Sequence, residues 1–186
     1  MFDFSAAFSR GLKYSAFLDR YADATQRGRW DRTRHDLVLT DHQIALLGRF
    51  TRRLNILCLA GAWCGDCAEQ CPILAAIAEK CSLVDLRFVD RDADAALAGE
   101  LKICGGSRVP VAVFLSEDMH ECARFGDRTL TRYRNLVQGV GVGAPCGRPM
   151  PIEEVLTTEA DEWLREIERV QWMLRLSPRL RRLHGD

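Results

Sequence analysis

The first candidates for chemistry are two cysteines, Cys64 and Cys67, which form a C-x-x-C motif. They follow an aliphatic run, 54–59, that predicts a buried strand, and they open a segment that predicts a helix to about Lys80. The reactive form of cysteine is the thiolate, and a helix N-terminus stabilises it with free N–H groups and positive dipole. The second cysteine lies most of a turn further on, close enough to form a small disulfide. The spacing therefore indicates thiol–disulfide chemistry.

A third thiol, Cys71, follows on the same predicted helix. At ~100° per residue, Cys64, Cys67 and Cys71 fall within a wedge of roughly 60°. Three interpretations of Cys71 stay open: an inert core thiol, a third redox partner, or a metal ligand with Cys104 as a distant fourth ligand. Successive ligands on one helix converge poorly and the four histidines form no ligand pair, so no metal is expected.

Two further thiols lie in predicted loops. Cys104 belongs to KICGGSR, and it is interpreted either as a packed loop thiol or as a neighbour of the active pair. Cys146 lies in a Gly/Pro-rich tether, where it is expected to be accessible, as a regulatory or an incidental thiol.

The elements that must position these thiols alternate between strands and helices, which predicts an α/β fold with a mixed sheet. The predicted strands are 37–39, 54–59, 83–89, 111–115 and 121–125. The predicted helices are 13–27, 40–53 with a Thr40–Gln43 capping box, 64–80, 95–101, 129–137 and 157–176. The remaining segments are a charged connector at 27–34, a loop at 139–151 and a basic tail at 176–186.

Several motifs carry a family resemblance. The stretch 54–67 reads LNILCLAGAWCGDC, Pro72 stands eight residues after Cys64, RVPVAVF spans 108–114, and ECARFGD precedes the helix predicted at 129–137. On these motifs the chain resembles the thioredoxin superfamily over about half its length. The resemblance implies a thioredoxin-like mixed β-sheet flanked by helices. It places that domain at 36–138, with an N-terminal helical extension at 1–35 and, at 139–186, a loop and a C-terminal helical extension packed on the core.

The resemblance also implies roles for the residues that match the family's motifs. Cys64 would be the attacking nucleophile and Cys67 would resolve the mixed disulfide. Trp63 would shield the pair. Pro110 would be the family's cis-proline and face the disulfide, while the backbone of Val109 would pair with a substrate chain.

Two departures from the family's pattern affect the proton chemistry. Gly65 and Asp66 separate the cysteines, where thioredoxins proper have glycine and proline. Asp66 is interpreted either as a helix-start carboxylate or as a redox-tuning group that disfavours the Cys64 thiolate by like-charge repulsion. The family's buried aspartate falls on Cys58, so another group, such as Asp66, would have to accept the proton.

Composition narrows the classes of function. The 186 residues carry 26 Lys plus Arg and 26 Asp plus Glu, so nothing favours nucleic acid or an anionic membrane as partner. Neither a secretory leader nor a membrane helix is expected, and a disulfide scaffold explains eight cysteines poorly in a reducing compartment. We therefore expect a cytoplasmic monomer acting on protein disulfides and recharged by an unidentified reductase. No cofactor is expected beyond the redox-active Cys64–Cys67 disulfide.

Two alternative functions remain open: a binding module and a metal site. The chain could be a thioredoxin-fold protein-binding module, because its extensions offer about eighty residues for recognition. It could, with less support, carry a cysteine metal site.

Overall fold

The computed structural model describes residues 2–140 and 151–185, and the architecture follows from its strands and helices. The strands are β1 (Leu54–Ala60), β2 (Val84–Asp90), β3 (Val111–Leu115) and β4 (Glu121–Gly126). The helices are α1 (Phe4–Arg10), α2 (Tyr14–Tyr21), α3 (Ala24–Asp36), α4 (Asp41–Leu47), α5 (Gly65–Lys80), α6 (Ala95–Glu100), α7 (Leu130–Val140), α8 (Ile152–Leu176) and α9 (Pro178–His184).

The sheet has the order β2-β1-β3-β4 and is mixed, as predicted. Strand β1 pairs in parallel with β2 and antiparallel with β3, and β3 pairs antiparallel with β4. All seven residues of β1 are buried, which explains its unbroken aliphatic run. Strand β1 has a neighbouring strand on each side. The turn that follows it, where the cysteine motif begins, therefore lies at the end of an inner strand.

The helices outside the predicted central domain pack on it. Helix α3 packs against α5, α2 packs against β2, and α8 packs against α5, α7 and β4. Trp163 of α8 is fully buried and meets Phe125 edge-on, with ring centroids 4.7 Å apart. In the part of the chain that the structure describes, no helix is long and apolar enough to cross a membrane.

The N-terminal region differs from the prediction. The helix predicted at 13–27 ends at Tyr21, because Asp23 starts a new helix with a capping box to Gln26. The predicted connector 27–34 lies inside that helix, α3. Its charged side chains are exposed or half-buried, while Trp30 is buried and donates a hydrogen bond to the Ala62 carbonyl (3.0 Å). Because Trp30 is the one large apolar residue that this helix buries, its sequence showed no helical repeat of apolar residues.

The prediction of a strand at 37–39 is also wrong, because these residues connect the C-terminus of α3 to the N-terminus of α4. The Leu37 amide donates to the Thr33 carbonyl (3.1 Å) at the end of α3, and Thr40 caps α4 with the predicted box to Gln43. The edge of β2 instead meets Leu12, which forms an isolated antiparallel bridge with Phe88.

Several helix boundaries also move. Helix α4 ends at Leu47, before Gly48, and α8 begins five residues earlier than predicted. The predicted basic tail contains α9, which is capped by Ser177 and has Pro178 in its first turn. Arg179 of α9 forms a bidentate ion pair with Asp118, so its basic residues are partly engaged with the core. Most of the loop predicted at 139–151 lies outside the described residues.

Candidate active site

The turn after β1 places Cys64 at the N-terminus of α5. Cys64 is the N-cap residue; its amide donates to the Gly61 carbonyl (3.0 Å) and its carbonyl accepts from the Ala68 amide (3.0 Å). No side-chain cap satisfies the first amides of α5. The sulfur therefore lies in the field of a helix N-terminus that has no competing capping group.

The two thiols of the motif differ in exposure. Cys64 is half-buried, and its sulfur lies 3.6 Å from the backbone oxygen of Val109, to which it donates. Cys67 is fully buried, and its sulfur accepts a hydrogen bond from the Gly61 amide (3.4 Å). A disulfide in a second molecule can therefore approach Cys64 and not Cys67.

The two thiols of the motif act on each other's pKa in opposite directions. Interaction with Cys67 and then burial raise the pKa of Cys64. Burial also acts to raise the pKa of Cys67, but hydrogen bonds from Cys64, Cys71 and the Gly61 amide together lower it. The first negative charge therefore forms readily and the second does not. Attack by the accessible Cys64 requires that its proton pass to Cys67.

Trp63 lies on the turn with its ring 43 % exposed. Its indole covers Gly61 so closely that a β-carbon there would lie 2.7 Å from the ring, so any larger residue at 61 would displace the indole. The Arg91 guanidinium lies 4.4 Å from the ring centroid, in a cation–π contact. By contrast, a β-carbon on Gly65 would meet nothing within 4 Å, so packing does not require glycine between the cysteines.

The loop before β3 faces the cysteine pair. The Val109–Pro110 peptide bond is cis, and the Val109 carbonyl is the group that meets the Cys64 sulfur. The end of β4 packs tightly behind it: Gly126 has φ +152°, and a β-carbon there would lie 2.4 Å from the Pro110 oxygen. The residues after β4 are thereby held beside the active-site turn.

Comparison with known families decides the assignment of the chain. A family model described as thioredoxin matches residues 11–137, which includes all four strands and the cysteine motif. The chain belongs to the thioredoxin family. The match begins at residue 11, inside the segment predicted as an N-terminal extension. Among curated proteins, nothing matches this chain.

Two solved structures share this fold over most of the chain, and a third matches about half of it. A protein of unknown function from Pseudomonas aeruginosa, PA1234, is 21 % identical, with a TM-score of 0.72 over 91 % of this chain and 99 % of its own. An HIV epitope-scaffold of the 4E10 type is 20 % identical, with a TM-score of 0.66 over 89 % of this chain and 95 % of its own. Thioredoxin from Fasciola hepatica is 24 % identical, with a TM-score of 0.36 over 51 % of this chain and 88 % of its own.

Within this thioredoxin-family site, the Asp66 carboxylate is paired with a cation. Arg128 binds it in a bidentate manner, with its Nε and Nη2 atoms 3.0 and 2.6 Å from the two carboxylate oxygens. Both side chains are mostly buried, at 19 % and 26 % exposure. Asp66 does act to raise the pKa of both thiols, after hydrogen bonding and burial, but a neighbouring cation offsets part of its charge.

The prediction missed Arg128, which a network of buried polar groups holds in place. Gln70 of α5 donates to the Asp127 carbonyl (2.9 Å) and accepts from the Thr129 amide (3.2 Å), so it spans the segment that carries Arg128. The Asp127 carboxylate pairs with Arg108 (3.0 Å). The sequence did contain a signal, because it predicted that β3 and β4 are antiparallel strands joined by a short turn. In such a pair the end of β4 lies beside the start of β3, which follows the proline loop.

The other predicted thiols lie in different places. Cys71 is fully buried, and its sulfur is 3.9 Å from that of Cys58. Cys104 is exposed at a turn with φ +51°, so its interpretation as a packed thiol is wrong. Cys146 lies outside the described residues. Among the residues that are described, no group of three or more His, Cys, Asp or Glu side chains could hold a metal ion.

Proposed function

We propose that this chain is a cytoplasmic thiol–disulfide oxidoreductase that reduces protein disulfides by cycling Cys64 and Cys67. One observation carries the proposal: a half-buried thiol at a helix N-terminus is followed, within the first turn of the same helix, by a fully buried thiol. The first can meet a substrate and the second can resolve the product. Nothing in this arrangement needs a cofactor.

The reaction balances with the two thiols alone. The Cys64 thiolate attacks one sulfur of the substrate disulfide, whose S–S bond breaks and whose other sulfur leaves as a thiolate and takes up the proton that Cys67 had received. The Cys67 thiolate then attacks the Cys64 sulfur, the mixed disulfide breaks, and the second substrate thiol is released. Two electrons pass from the Cys64–Cys67 dithiol to the substrate. An external dithiol, supplied by a reductase, restores the starting state.

Charge around the pair favours a reductant. Burial and Asp66 both act against the Cys64 thiolate. The helix N-terminus acts in its favour, and Arg128 offsets part of the Asp66 charge. A less stabilised thiolate makes the reduced form less favourable and the disulfide harder to reduce. We expect a potential nearer thioredoxin's ~−270 mV than the ~−120 mV of strong oxidases.

Protein substrates fit the surface beside Cys64. Trp63 stays 43 % exposed next to it, and the N-terminal part of α7, which follows Arg128, exposes Leu130 and Tyr133. Exposed aromatic and aliphatic side chains near a reactive thiol offer apolar contact to a segment of a partner protein. We propose that this surface, together with the Val109 backbone, receives the substrate.

Catalysed reduction of insulin by dithiothreitol tests the proposed function. Wild-type protein should accelerate the reduction, and Cys64→Ser should abolish the acceleration because the attacking sulfur is lost. Cys122→Ser is the matched control, since that half-buried thiol belongs to β4 and hydrogen-bonds the His120 carbonyl. Equal rates with wild-type protein and Cys64→Ser would instead favour a thioredoxin-fold binding module.

A further inference from the structure

Two more thiols lie behind the active pair, in the core. Cys58 sits in the middle of β1, and Cys71 lies one turn beyond Cys67 on α5. Both are fully buried, and their sulfurs are 3.9 Å apart. A disulfide needs the sulfurs at about 2.05 Å, so an approach of roughly 2 Å would join them.

These sulfurs continue the active site inward. Cys67 and Cys71 are four residues apart on α5, where side chains share one face, and each acts on the pKa of the other. Cys64 lies three residues before Cys67, at the start of the same helix, and also acts on the pKa of Cys67. The four sulfurs therefore form a row in the order Cys64, Cys67, Cys71, Cys58, and only the first is accessible from outside.

We propose that Cys58 and Cys71 form a second, internal dithiol that exchanges with the Cys64–Cys67 disulfide. The proposal rests on the proposed function, because the disulfide enters the row through Cys64. A chain of this kind would hold two pairs of reducing electrons and could reduce two substrate disulfides before it is recharged.

The internal steps balance without any further oxidant. The Cys71 thiolate attacks the Cys67 sulfur; the Cys64–Cys67 bond breaks, and Cys64 leaves as a thiolate and is protonated. The Cys58 thiolate then attacks the Cys71 sulfur; the Cys67–Cys71 bond breaks, and Cys67 is released. The disulfide now joins Cys58 to Cys71, and Cys64 and Cys67 are reduced again.

The surroundings of Cys71 predict a slow transfer. Burial, and then hydrogen bonding with Cys58 and Cys67, raises the pKa of Cys71, which reduces the fraction of attacking thiolate. Exchange with an external disulfide should therefore be complete before internal transfer begins. The two processes should separate in time.

Titration with 5,5′-dithiobis(2-nitrobenzoate) tests the proposal in a full-length background in which Cys81, Cys104, Cys122 and Cys146 are serine, so that only the four thiols of the row remain. The accessible Cys64 attacks this reagent and Cys67 closes the disulfide, so a fast phase should release two equivalents of thionitrobenzoate per chain. Internal transfer regenerates both thiols, so a slow phase should release two more. Mass spectrometry of the product should then find Cys58 linked to Cys71.

Two variants of that background identify the source of the slow phase. Cys58→Ala and Cys71→Ala should each keep the fast phase of two equivalents and lose the slow one, which halves the total release. If neither alanine variant folds, the titration of the background protein alone can still contradict the proposal.

The outcomes separate this proposal from the proposed function. A single phase of two equivalents, with no linkage among Cys58, Cys67 and Cys71, would overturn the internal dithiol and leave the proposed function standing. A slow phase that survives in both alanine variants would also overturn it. Absence of the fast phase would overturn the proposed function itself.

Discussion

Replacing Arg128 with glutamine would leave the carboxylate of Asp66 without its cation, beside the active-site thiols. In the structure the guanidinium binds both carboxylate oxygens, at 3.0 and 2.6 Å. Asp66 lies between the two cysteines in sequence, and its charge acts to raise the pKa of each. Removing the cation should therefore make the first thiolate of the pair harder to form.

The size of the effect follows from the partial burial of the pair. The two side chains keep 19 % and 26 % exposure, so solvent screens them in part. For a site of this kind with an effective dielectric constant of ~40, a charge ~7 Å from a thiolate contributes roughly 1 kcal/mol. A free-energy change of ~1.4 kcal/mol corresponds to a factor of ten. At pH values below the pKa, the thiolate fraction of Arg128→Gln should therefore be roughly five times smaller than that of the wild type.

The assay is the rate of iodoacetamide alkylation at Cys64 as a function of pH. For Arg128→Gln the profile should move to higher pH, because a destabilised thiolate forms only at lower proton concentration. The potential should fall by about 20 mV, since ~30 mV corresponds to ~1.4 kcal/mol for this couple. Arg165→Gln, which removes an equal charge from the exposed face of α8, should change neither quantity.

A double variant identifies the cause. Asp66→Asn combined with Arg128→Gln removes both charges and should return the profile close to that of the wild type. Asp66→Asn alone should move the profile to lower pH, because Arg128 then acts on the thiolate without its counter-ion. The reasoning is refuted if Arg128→Gln leaves the profile unchanged or shifts it to lower pH, or if the double variant behaves like Arg128→Gln.

Limited alkylation of the reduced protein with peptide mapping should label Cys64 well before Cys67, which is fully buried; faster labelling of Cys67 would reverse the assigned roles. Trp30→Ala should lower the free energy of unfolding by about 3–5 kcal/mol in urea denaturation, because a fully buried indole and its hydrogen bond are lost. Trp172→Ala, at a residue that is 50 % exposed, is its control and should change the unfolding free energy little; equal losses would contradict the packing described. Deleting residues 157–186 should lower the melting temperature clearly, since most of α8 and its buried side chains are removed; an unchanged melting curve would favour a detached recognition arm.

The parts of the site that are contiguous in sequence could be predicted from it. The motif, the strand before it and the helix after it adjoin, so local patterns were enough to place Cys64 at the N-terminus of α5 and Cys67 inside it. The Thr40–Gln43 capping box was likewise predicted from spacing alone and is confirmed. Each of these features depends on residues a few positions apart.

The missed features depend on contacts between distant residues. Arg128 reaches Asp66 across 62 positions of sequence, and only the packing of β4 against the proline loop brings the two together. Helix α3 was missed because Trp30 is its one buried apolar anchor, so its charged residues resembled a connector. The contact between Cys58 and Cys71 joins a strand to a helix, and sequence spacing gives no sign of it.

Trapping of a mixed disulfide tests the division of roles between Cys64 and Cys67 most directly. In a background in which Cys104, Cys122 and Cys146 are serine, reduced Cys67→Ser, incubated with a peptide disulfide, should accumulate one covalent adduct per chain, attached at Cys64, because the resolving thiol is gone. Cys64→Ser, treated in the same way, should form none, since Cys67 is fully buried. Adducts at Cys67 in Cys64→Ser that form as fast as those at Cys64 in Cys67→Ser, or no adduct with either variant, would contradict the account.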